Sequence, residues 1–415
     1  MTILGLIEDV LRPLFRDEVE HENVYPLDEK LELLEIEGRR SRYTSGFAHL
    51  VGELYALLPI RDGIRLLMKI VGISLEKDSL TAIGAAVAQS YIPPHYDEVE
   101  EAEEAEEKEE EATPQDVVCE PCFIEKRIQE IDASPDRDTI ILKALREQVD
   151  GIDRKQAKAA KSLSYVQADG TGVSGLPREL SDKGKNGGAA KTFEAKIGVF
   201  FTQYFDDNSL PLLKNGNIYR NPDSTRYIGT VEKIGQFTPQ MKAFAEANGI
   251  GEEDQIIFLS DAAHWLEILR KKLYPKSIGI IDFYHASDRL YKLVDSLLFY
   301  SKKRKTIFFE KCYNFLELGM IDQLADLIKQ KITDSNRESV EKQLAYFTGN
   351  KKKMRYGLFR AVGLFIGSGV VEAGCKIIVE NRLNGSGMRW IKKNAANVIA
   401  LRCAIHSGEY DDSAA

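Results

Sequence analysis

The sequence predicts a mixed α/β fold that carries a large helical insertion and is preceded by a small helical unit. Two observations lead to this prediction. Short apolar runs at 255–261 and 277–282 each end in an acid, which is typical of buried strands. Residues 283–360 have a helical pattern throughout, and a further helix is predicted to begin near Ser368.

The predicted segments follow one another along the chain. They are a helical unit (1–92), an acidic linker (93–116), a helical connector (117–161), the first part of the α/β core (162–282), the helical insertion (283–360), the final helices of the core (361–405) and a tail (406–415). Within the core, strands are predicted at 162–169, 193–204 and 226–232, with a Gly- and Ser-rich loop at 171–190.

The helical unit contains three predicted helices. They cover 45–58 and 61–71 and start again near Asp78 or Ser79, with Pro59 and Gly72 at the first two ends. Two short helices joined in this way resemble a helix-turn-helix. A small helical bundle that makes no DNA contact explains these residues equally well.

Charge is distributed unevenly along the chain. The 415 residues have a formal net charge of −9, which taken alone argues against a nucleic-acid partner. Residues 97–112 contain eleven acids and one lysine, whereas residues 270–402 contain 26 lysines and arginines against 12 acids, a net of +14. The acidic run is predicted to be a solvated flexible linker. The basic region suits a polyanionic partner.

Other classes of protein are disfavoured by composition. No uncharged apolar run approaches the ~18 residues of a membrane-spanning helix, and the N-terminus meets Glu8 and Asp9 without the basic start of a signal peptide. Five scattered cysteines suggest free thiols in a reducing compartment. Cys119 and Cys122 form one CxxC pair without a second, so free thiols are favoured over zinc. We expect a cytoplasmic protein with no membrane partner.

Carboxylates at predicted strand ends are the main chemical feature. Asp169, Asp261 and Asp282 each end a strand, where open α/β sheets bind ligands, and Glu372 lies one turn inside the helix that begins near Ser368. Glu372, Cys375, Lys376 and Val379 are predicted to share a helix face. Oxygen ligands suit Mg²⁺ or Mn²⁺, and two such ions can clamp a phosphodiester. Strand-end acids also cap helices or form ion pairs, so the pattern leaves both interpretations open.

Five blocks of sequence resemble, in order, those of the ISKra-type bacterial insertion-sequence transposases, which are relatives of the Mutator-like DDE enzymes. The match covers roughly residues 160–405. The blocks are ADGTGV (168–173), SDAAHW (260–265), IDFYHA (281–286), GSGVVEAGCK (367–376) and SGMRW (386–390). The resemblance implies an RNase H-like catalytic domain with an all-helical insertion between the second Asp and the Glu.

The resemblance also implies the site. It assigns the catalytic, metal-binding triad to Asp169, Asp261 and Glu372 with two Mg²⁺ or Mn²⁺ ions, and a supporting Asp-x-x-His element to Asp282 and His285. One departure is Ala262, where Gly is expected; Ala is tolerated unless the backbone there needs a positive φ.

The implied reaction is hydrolysis at the ends of a mobile element, followed by attack of the freed 3′-hydroxyl on target DNA. The implied partners are the element's terminal inverted repeats, the target DNA and further copies of the chain on paired ends, in a bacterial, nucleoid-associated setting.

Basic residues are predicted to contact DNA phosphates, which position DNA without reading its sequence. They are Lys302, Lys303, Arg304, Lys305, Lys351, Lys352, Lys353, Arg355, Lys376, Arg382, Arg389, Lys392 and Lys393. Core or interface packing is favoured over base stacking for Trp265 and Trp390, and residues 356–362 are predicted to pack in the core.

Three alternatives to a transposase stay open. The chain could be an inactive or domesticated DNA-binding relative, a metal-dependent DNA nuclease that cuts but does not join, or a helix-turn-helix regulator with an unrelated α/β domain. Carboxylates that lie far apart would favour the last of these.

Overall fold

The computed structural model describes residues 15–16, 23–24, 33–36, 39–96, 122–147, 149–157, 160–180, 191–250 and 255–410, with side chains from residue 43 onward. Most of the predicted acidic linker, Cys119, part of the Gly- and Ser-rich loop and the last five residues of the tail therefore lie outside the described residues.

The N-terminal region contains short strands followed by three helices. Its elements are β1 (Phe15–Arg16), β2 (Asn23–Val24), β3 (Leu33–Ile36), β4 (Arg39–Thr44), α1 (Ser45–Leu57), α2 (Ile60–Val71) and α3 (Lys77–Ala88). The helices confirm the prediction for 45–92. The strands correct the all-helical interpretation of 1–92: β1 pairs with β2 and β3 with β4, both antiparallel, and this pairing satisfies backbone groups independently of side-chain charge.

The predicted helical connector contains two helices and a short strand. They are α4 (Phe123–Asp132), α5 (Arg137–Arg146) and β5 (Ile152–Asp153). Ile124, Ile128 and Ile131 are buried at the helical spacing predicted for them. The Cys122 sulfur accepts the Glu125 backbone N–H at 3.4 Å and so caps α4.

A five-stranded mixed sheet forms the centre of the α/β core. The elements of this region are β6 (Lys161–Ser174), β7 (Thr192–Phe205), β8 (Leu212–Lys214), β9 (Asn217–Ile218), β10 (Arg220–Thr230), α6 (Ile234–Ala247), β11 (Ile256–Ser260), α7 (His264–Leu273) and β12 (Ile278–Ile281). The strand order is β10-β7-β6-β11-β12. Strands β10, β7 and β6 are antiparallel, whereas β11 is parallel to both β6 and β12. The predicted mixed α/β class is confirmed.

The first strand of the sheet is longer than the sequence pattern indicates. β6 continues through Gly170 to Ser174 because each of these residues pairs with β7, from Gly170 opposite Lys196 to Ser174 opposite Thr192. The predicted loop at 171–190 therefore begins too early. Cross-strand pairing keeps glycines extended that, from sequence alone, indicate a turn.

The predicted insertion is helical, as expected. It contains α8 (Phe283–Asp295), α9 (Lys302–Leu318), α10 (Ile321–Lys329), α11 (Arg337–Gly349) and α12 (Tyr356–Ala361), with a short 3₁₀ turn at Lys351–Met354. Together with α4 and α5 these helices share a core with one face of the sheet, through residues such as Tyr165 and Phe201. Helices α6 and α7 pack on the other face around Phe200 and Phe258.

The final segment of the core contains an interrupted helix. Its elements are α13 (Gly369–Gly374), a π-helical turn (Cys375–Glu380), α14 (Asn381–Leu383) and α15 (Lys392–Ser407). The four residues predicted to share one face, Glu372, Cys375, Lys376 and Val379, lie on two adjacent stripes of this helix, of which one faces solvent and the other faces the core. Glu372 and Lys376 are exposed, whereas Cys375 and Val379 are buried.

The N-terminal helices share an apolar core with the end of the α/β core, including Phe47 of α1 and Val398 of α15. Two buried arginines complete this contact at the C-terminus of α1, where helix carbonyls lack partners within the helix. Arg382 Nη2 donates to the Tyr55 carbonyl at 3.0 Å, and Arg402 Nη1 donates to the Ala56 carbonyl at 3.1 Å.

Among the described residues, no helix combines the length and the apolar character needed to cross a membrane.

Candidate functional site

Asp169, Asp261 and Asp282 lie side by side across three neighbouring strands of the sheet. Asp261 and Asp282 follow the ends of β11 and β12, as predicted, whereas Asp169 lies inside β6, because this strand stays paired with β7 as far as Ser174. Parallel pairing sets Leu259 of β11 opposite Gln167 of β6, so Asp261 and Asp169, each two residues further on, are level with each other. Ser260 pairs with Ile281 of β12, which brings Asp282 level with Asp261 in turn. The register therefore gathers the three acids at the edge predicted from sequence.

Asp169 and Asp261 are partly buried, and each accepts a local backbone hydrogen bond. The Gly170 N–H donates to Asp169 Oδ1 at 2.7 Å, and the Ala263 N–H donates to Asp261 Oδ1 at 2.8 Å. Between Asp261 and Ala263 the chain turns through Ala262, whose φ is +67°. The backbone at this position therefore does adopt the left-handed conformation, and Ala262 carries the strain that the sequence resemblance would lead us to expect a glycine to avoid.

The acids interact electrostatically across the site. Burial raises the pKa of Asp169 above its usual value, and the neighbouring Asp261 and Glu372 carboxylates raise it further, while the Gly170 N–H and His285 act in the opposite direction. Like charges held this close disfavour one another's ionised forms. A bound cation would relieve that repulsion, so the arrangement suits a metal site.

Asp282 occupies a different position from the other two aspartates. It is completely buried and caps the N-terminus of α8: its Oδ1 accepts the His285 N–H at 2.6 Å and lies 3.1 Å from His285 Nδ1. Its Oδ2 accepts the Ser368 N–H. Asp282 thus joins α8 to the residue that precedes α13, and both of its oxygens already have hydrogen-bond partners.

Glu372 reaches the same site from α13. The Ser368 hydroxyl donates to Glu372 Oε1 at 2.7 Å, and His285 Nδ1 lies 4.0 Å from that oxygen. Both ligand side chains are accessible, with 50% of the Glu372 side chain and 46% of the His285 side chain exposed. Solvent-facing oxygen and imidazole donors of this kind can bind a divalent cation.

The ligand atoms that converge most closely are not those of the predicted triad. Within the described ranges, Asp282, His285 and Glu372 have ligand atoms within 4.8 Å of one another. Asp169, Asp261 and Glu372 do not form so tight a group, although Asp261 and Glu372 are both close enough to raise the pKa of Asp169. The predicted catalytic and supporting residues therefore form one continuous cluster, which we call the carboxylate cluster (Asp169, Asp261, Asp282, His285 and Glu372).

Gln167 is a site residue that sequence reasoning missed. It is fully buried, and its Oε1 accepts the Val371 N–H at 3.0 Å, immediately before Glu372. Gln167 lies two residues before Asp169 and therefore on the same face of β6. A polar residue inside an otherwise buried strand, at that spacing from the first acid, is the signal that could have identified it.

Most of the predicted DNA contacts are on the surface. Lys302, Lys303, Arg304, Lys352, Lys376, Arg389, Lys392 and Lys393 are exposed. Lys305 pairs with Asp295, Lys351 pairs with Asp322 at 3.2 Å, and the half-buried Arg355 donates to the Lys352 carbonyl at 3.1 Å. Ion pairs at the surface contribute little to stability, so these cations could contact a DNA phosphate in place of their present partners.

Two of the predicted DNA contacts, Arg382 and Lys353, make contacts inside the fold. Arg382 is only 3% exposed and is held by the Tyr55 carbonyl, so it stabilises the docking of α1. Burial lowers its pKa to about 10, which leaves it charged at neutral pH. Lys353 is half-buried and pairs with Glu267 at 2.7 Å, beside Arg270. Both cations are therefore engaged by groups inside the fold, Arg382 by a helix carbonyl and Lys353 by a carboxylate.

The packing predictions for the aromatic residues are confirmed. Trp390 is 9% exposed and donates through Nε1 to the Leu383 carbonyl at 2.9 Å. Trp265 is partly buried and lies against Phe237. Tyr356 and Phe359 are fully buried within the helical insertion.

Comparison with known proteins adds no assignment. No protein-family model matches this chain, and no curated protein matches its sequence.

Proposed function

We propose that this protein is a DDE transposase that cuts DNA at the ends of an insertion sequence and joins those ends to target DNA. The observation that supports the proposal most strongly is the register that brings Asp169, Asp261 and Asp282 level at one sheet edge, with Glu372 reaching them from α13. The repulsion between carboxylates brought together from distant segments destabilises the fold. Such an arrangement is therefore typical of a functional site rather than of a structural one.

The sheet supports the RNase H-like fold that the sequence resemblance implies. Its first strand is central, the first three strands are antiparallel, and two parallel strands follow on the other side. The helical insertion follows Asp282 and ends before Glu372, where the resemblance requires it. We therefore interpret the α/β core as an RNase H-like catalytic domain.

The proposed roles of the residues follow from their contacts. Asp169, Asp261 and Glu372 would hold two Mg²⁺ or Mn²⁺ ions. Bound there, the ions would supply the clamp for the attacking and leaving oxygens of the phosphodiester. Asp282 fixes the orientation of His285 through the 3.1 Å contact, and Ser368 orients Glu372. The raised pKa of Asp169 supports this role, because a bound cation would offset the repulsion between its carboxylate and those of Asp261 and Glu372.

The exposed basic residues are proposed to bind the polyanion. Lys376, Arg389, Lys392 and Lys393 follow Glu372 in sequence, and Lys302–Arg304 lie at the start of α9. We propose that they contact phosphates of the terminal inverted repeats and of target DNA. In this proposal the chain acts as a homo-oligomer on paired ends, in the bacterial cytoplasm.

A cleavage assay on the DNA that flanks the gene tests the proposal. With Mg²⁺, the protein should nick DNA at inverted repeats in those flanks, and a pre-cut end should be joined to target DNA. Asp169→Asn should abolish both reactions and keep affinity for the repeats. Asp322→Asn, which removes an exposed carboxylate on the insertion, serves as the control and should behave like the wild type.

The assay also separates the alternatives. Cutting without joining would identify a nuclease, and binding without cutting would identify an inactive DNA-binding relative. Full cleavage by Asp169→Asn would refute the assignment of the site.

A further inference from the structure

A cleft of about 460 Å³ lies beside the carboxylate cluster, between α8 and α11. Its lining includes His285, Asp288, Arg289, Lys292, Tyr346 and Phe347. The four residues from α8 are spaced i, i+3, i+4 and i+7 and so form one helix face. The volume falls within the range of small-ligand sites.

An arginine and a tyrosine form a flat recognition element in this cleft. The Arg289 guanidinium lies 4.2 Å from the centroid of the Tyr346 ring. The Tyr346 hydroxyl is buried and has no hydrogen-bond partner among the described residues. Planar guanidinium and aromatic groups stack favourably on other planar rings. The pair therefore suits a ligand that contains a flat aromatic ring.

The charge in the cleft suits an anion. Arg289 and Lys292 contribute two positive charges against one negative charge from Asp288. Neither cation is within ion-pairing distance of a carboxylate in the described part of the chain. A nucleotide combines a flat ring with an anionic group, so it matches both the Arg289–Tyr346 pair and the positive charge of Lys292.

The position of the cleft limits the source of that nucleotide. His285 belongs both to the cleft and to the carboxylate cluster. A ligand in the cleft therefore lies next to the proposed reacting phosphate. A base inside a duplex is stacked and cannot reach Tyr346, whereas an unpaired base can.

We propose that the cleft binds one unpaired nucleotide of the DNA strand, with its base stacked on the Arg289 guanidinium, which Tyr346 holds flat from below, and its phosphate on Lys292. This inference rests on the proposed function, since it assumes that the strand runs past the carboxylate cluster. It adds a site for the substrate that the five sequence blocks do not include.

Fluorescence of 2-aminopurine in a short single-stranded oligonucleotide tests the inference, with the full chain and with EDTA present. Binding should quench the probe, because the fluorophore stacks. Tyr346→Leu and Arg289→Leu should each weaken binding about tenfold, within the range for one base stacked on an aromatic ring. Tyr346→Phe should retain quenching. Lys292→Gln should reduce the slope of log affinity against log salt by about 0.7, one phosphate on a single strand.

Arg154 and Tyr219 provide a matched control. The Arg154 guanidinium lies 4.6 Å from the Tyr219 ring centroid, beside the small β5-β8-β9 sheet at the far end of β7. Arg154→Leu removes an equivalent pair and should leave quenching unchanged. An equal loss in Arg154→Leu and Arg289→Leu, or wild-type binding by Tyr346→Leu, would overturn the inference.

Two further measurements define the ligand and separate this inference from the proposed function. Free dAMP should compete only weakly with the oligonucleotide; tighter binding of dAMP would assign the cleft to a free nucleotide and overturn the inference. Asp169→Asn should quench the probe normally in EDTA. Loss of DNA cleavage by the wild type with quenching intact would refute the proposed function alone, whereas loss of quenching with cleavage intact would refute the cleft alone.

Discussion

Gln167 and Val371 join the central strand of the sheet to the helix that carries Glu372. The amide oxygen of Gln167 accepts the Val371 N–H at 3.0 Å, and both residues are buried. The contact holds the backbone one residue from Glu372 at a fixed distance from Asp169. Residues that hold ligands in place in this way affect metal affinity and activity without touching the metal.

Gln167→Met should therefore raise the Mg²⁺ concentration needed for half-maximal cleavage by about 10- to 100-fold, the range found for residues that orient metal ligands. It should lower the unfolding free energy by about 1 kcal/mol or less, because the Val371 N–H loses one of its two acceptors and keeps the Ser368 carbonyl at 3.0 Å. A Mg²⁺ titration of the cleavage rate and a denaturant melt measure the two effects.

Gln203→Met provides the control for that substitution. Gln203 is equally buried, accepts from the Tyr165 hydroxyl at 2.6 Å and donates to the Gly363 carbonyl at 2.7 Å. Its loss should lower stability and leave the Mg²⁺ requirement unchanged. A similar shift in Mg²⁺ requirement for both variants would mean that Gln167 acts only through general stability.

Asp169→Asn should stabilise the protein in the absence of divalent cations. The pKa of Asp169 is raised by burial and by nearby carboxylates, so its ionisation opposes folding. Stability is therefore lost as the pH rises from the ordinary carboxyl range through the raised value, and removal of the charge restores it at neutral pH.

Melting temperatures at pH 7 and at acidic pH, with and without Mg²⁺, measure this effect. The gain in Asp169→Asn should disappear below the usual pKa of a carboxyl group. Mg²⁺ should raise the melting temperature of the wild type and have little effect on the variant, since only the native wild-type site binds the ion. A variant less stable than the wild type at pH 7 without Mg²⁺ would contradict the prediction.

Ala262→Gly should stabilise the fold. Ala262 has a φ of +67°, which costs an L-residue about 1–2 kcal/mol, and glycine adopts it freely. The greater freedom of glycine in the unfolded chain offsets about 0.4–1 kcal/mol of that gain. A net stabilisation of about 0.5–1 kcal/mol should appear in urea unfolding.

A second glycine substitution checks the cause. Ala243 lies inside α6 with helical geometry, so Ala243→Gly should destabilise the protein by about 1 kcal/mol. If Ala262→Gly destabilises the fold as well, relief of backbone strain at Ala262 is not the relevant effect.

Arg382 and Arg389 should respond in opposite ways to alanine substitution. Arg382→Ala should lower the unfolding free energy by about 2–3 kcal/mol, because the Tyr55 carbonyl loses a charged donor. Arg389→Ala should change stability by less than about 0.5 kcal/mol and reduce the slope of log DNA affinity against log salt by about 1. Salt-dependent DNA binding and thermal melts separate them; an unchanged salt slope in Arg389→Ala would remove that residue from the proposed DNA contacts.

Much of the fold could be predicted because its signals are local. Apolar runs that end in an acid identified β11 and β12, and helical spacing identified the three N-terminal helices and the insertion. The predictions were wrong where the local structure depends on contacts with residues that are distant in the sequence. β6 continues through its glycines because β7 pairs with them, and packing against the core buries Cys375 and Val379 while Glu372 and Lys376 of the same predicted face stay exposed.

The sequence by itself determined that Asp261 and Asp282 follow strands, where the helical insertion lies and where the basic residues are concentrated, because these features depend on residue order and periodicity. Only the tertiary structure decided which charges are available. In the folded protein, Arg382 is buried against the C-terminus of α1, and both oxygens of Asp282 accept hydrogen bonds, one from α8 and one from Ser368. The packing of the helices also forms the cleft beside His285. The physical reason is that burial and hydrogen bonding depend on which segments meet. The register of the sheet pairs Ile256 with Ser164, 92 residues apart, and the packing of the helices brings Val371 to Gln167, 204 residues apart.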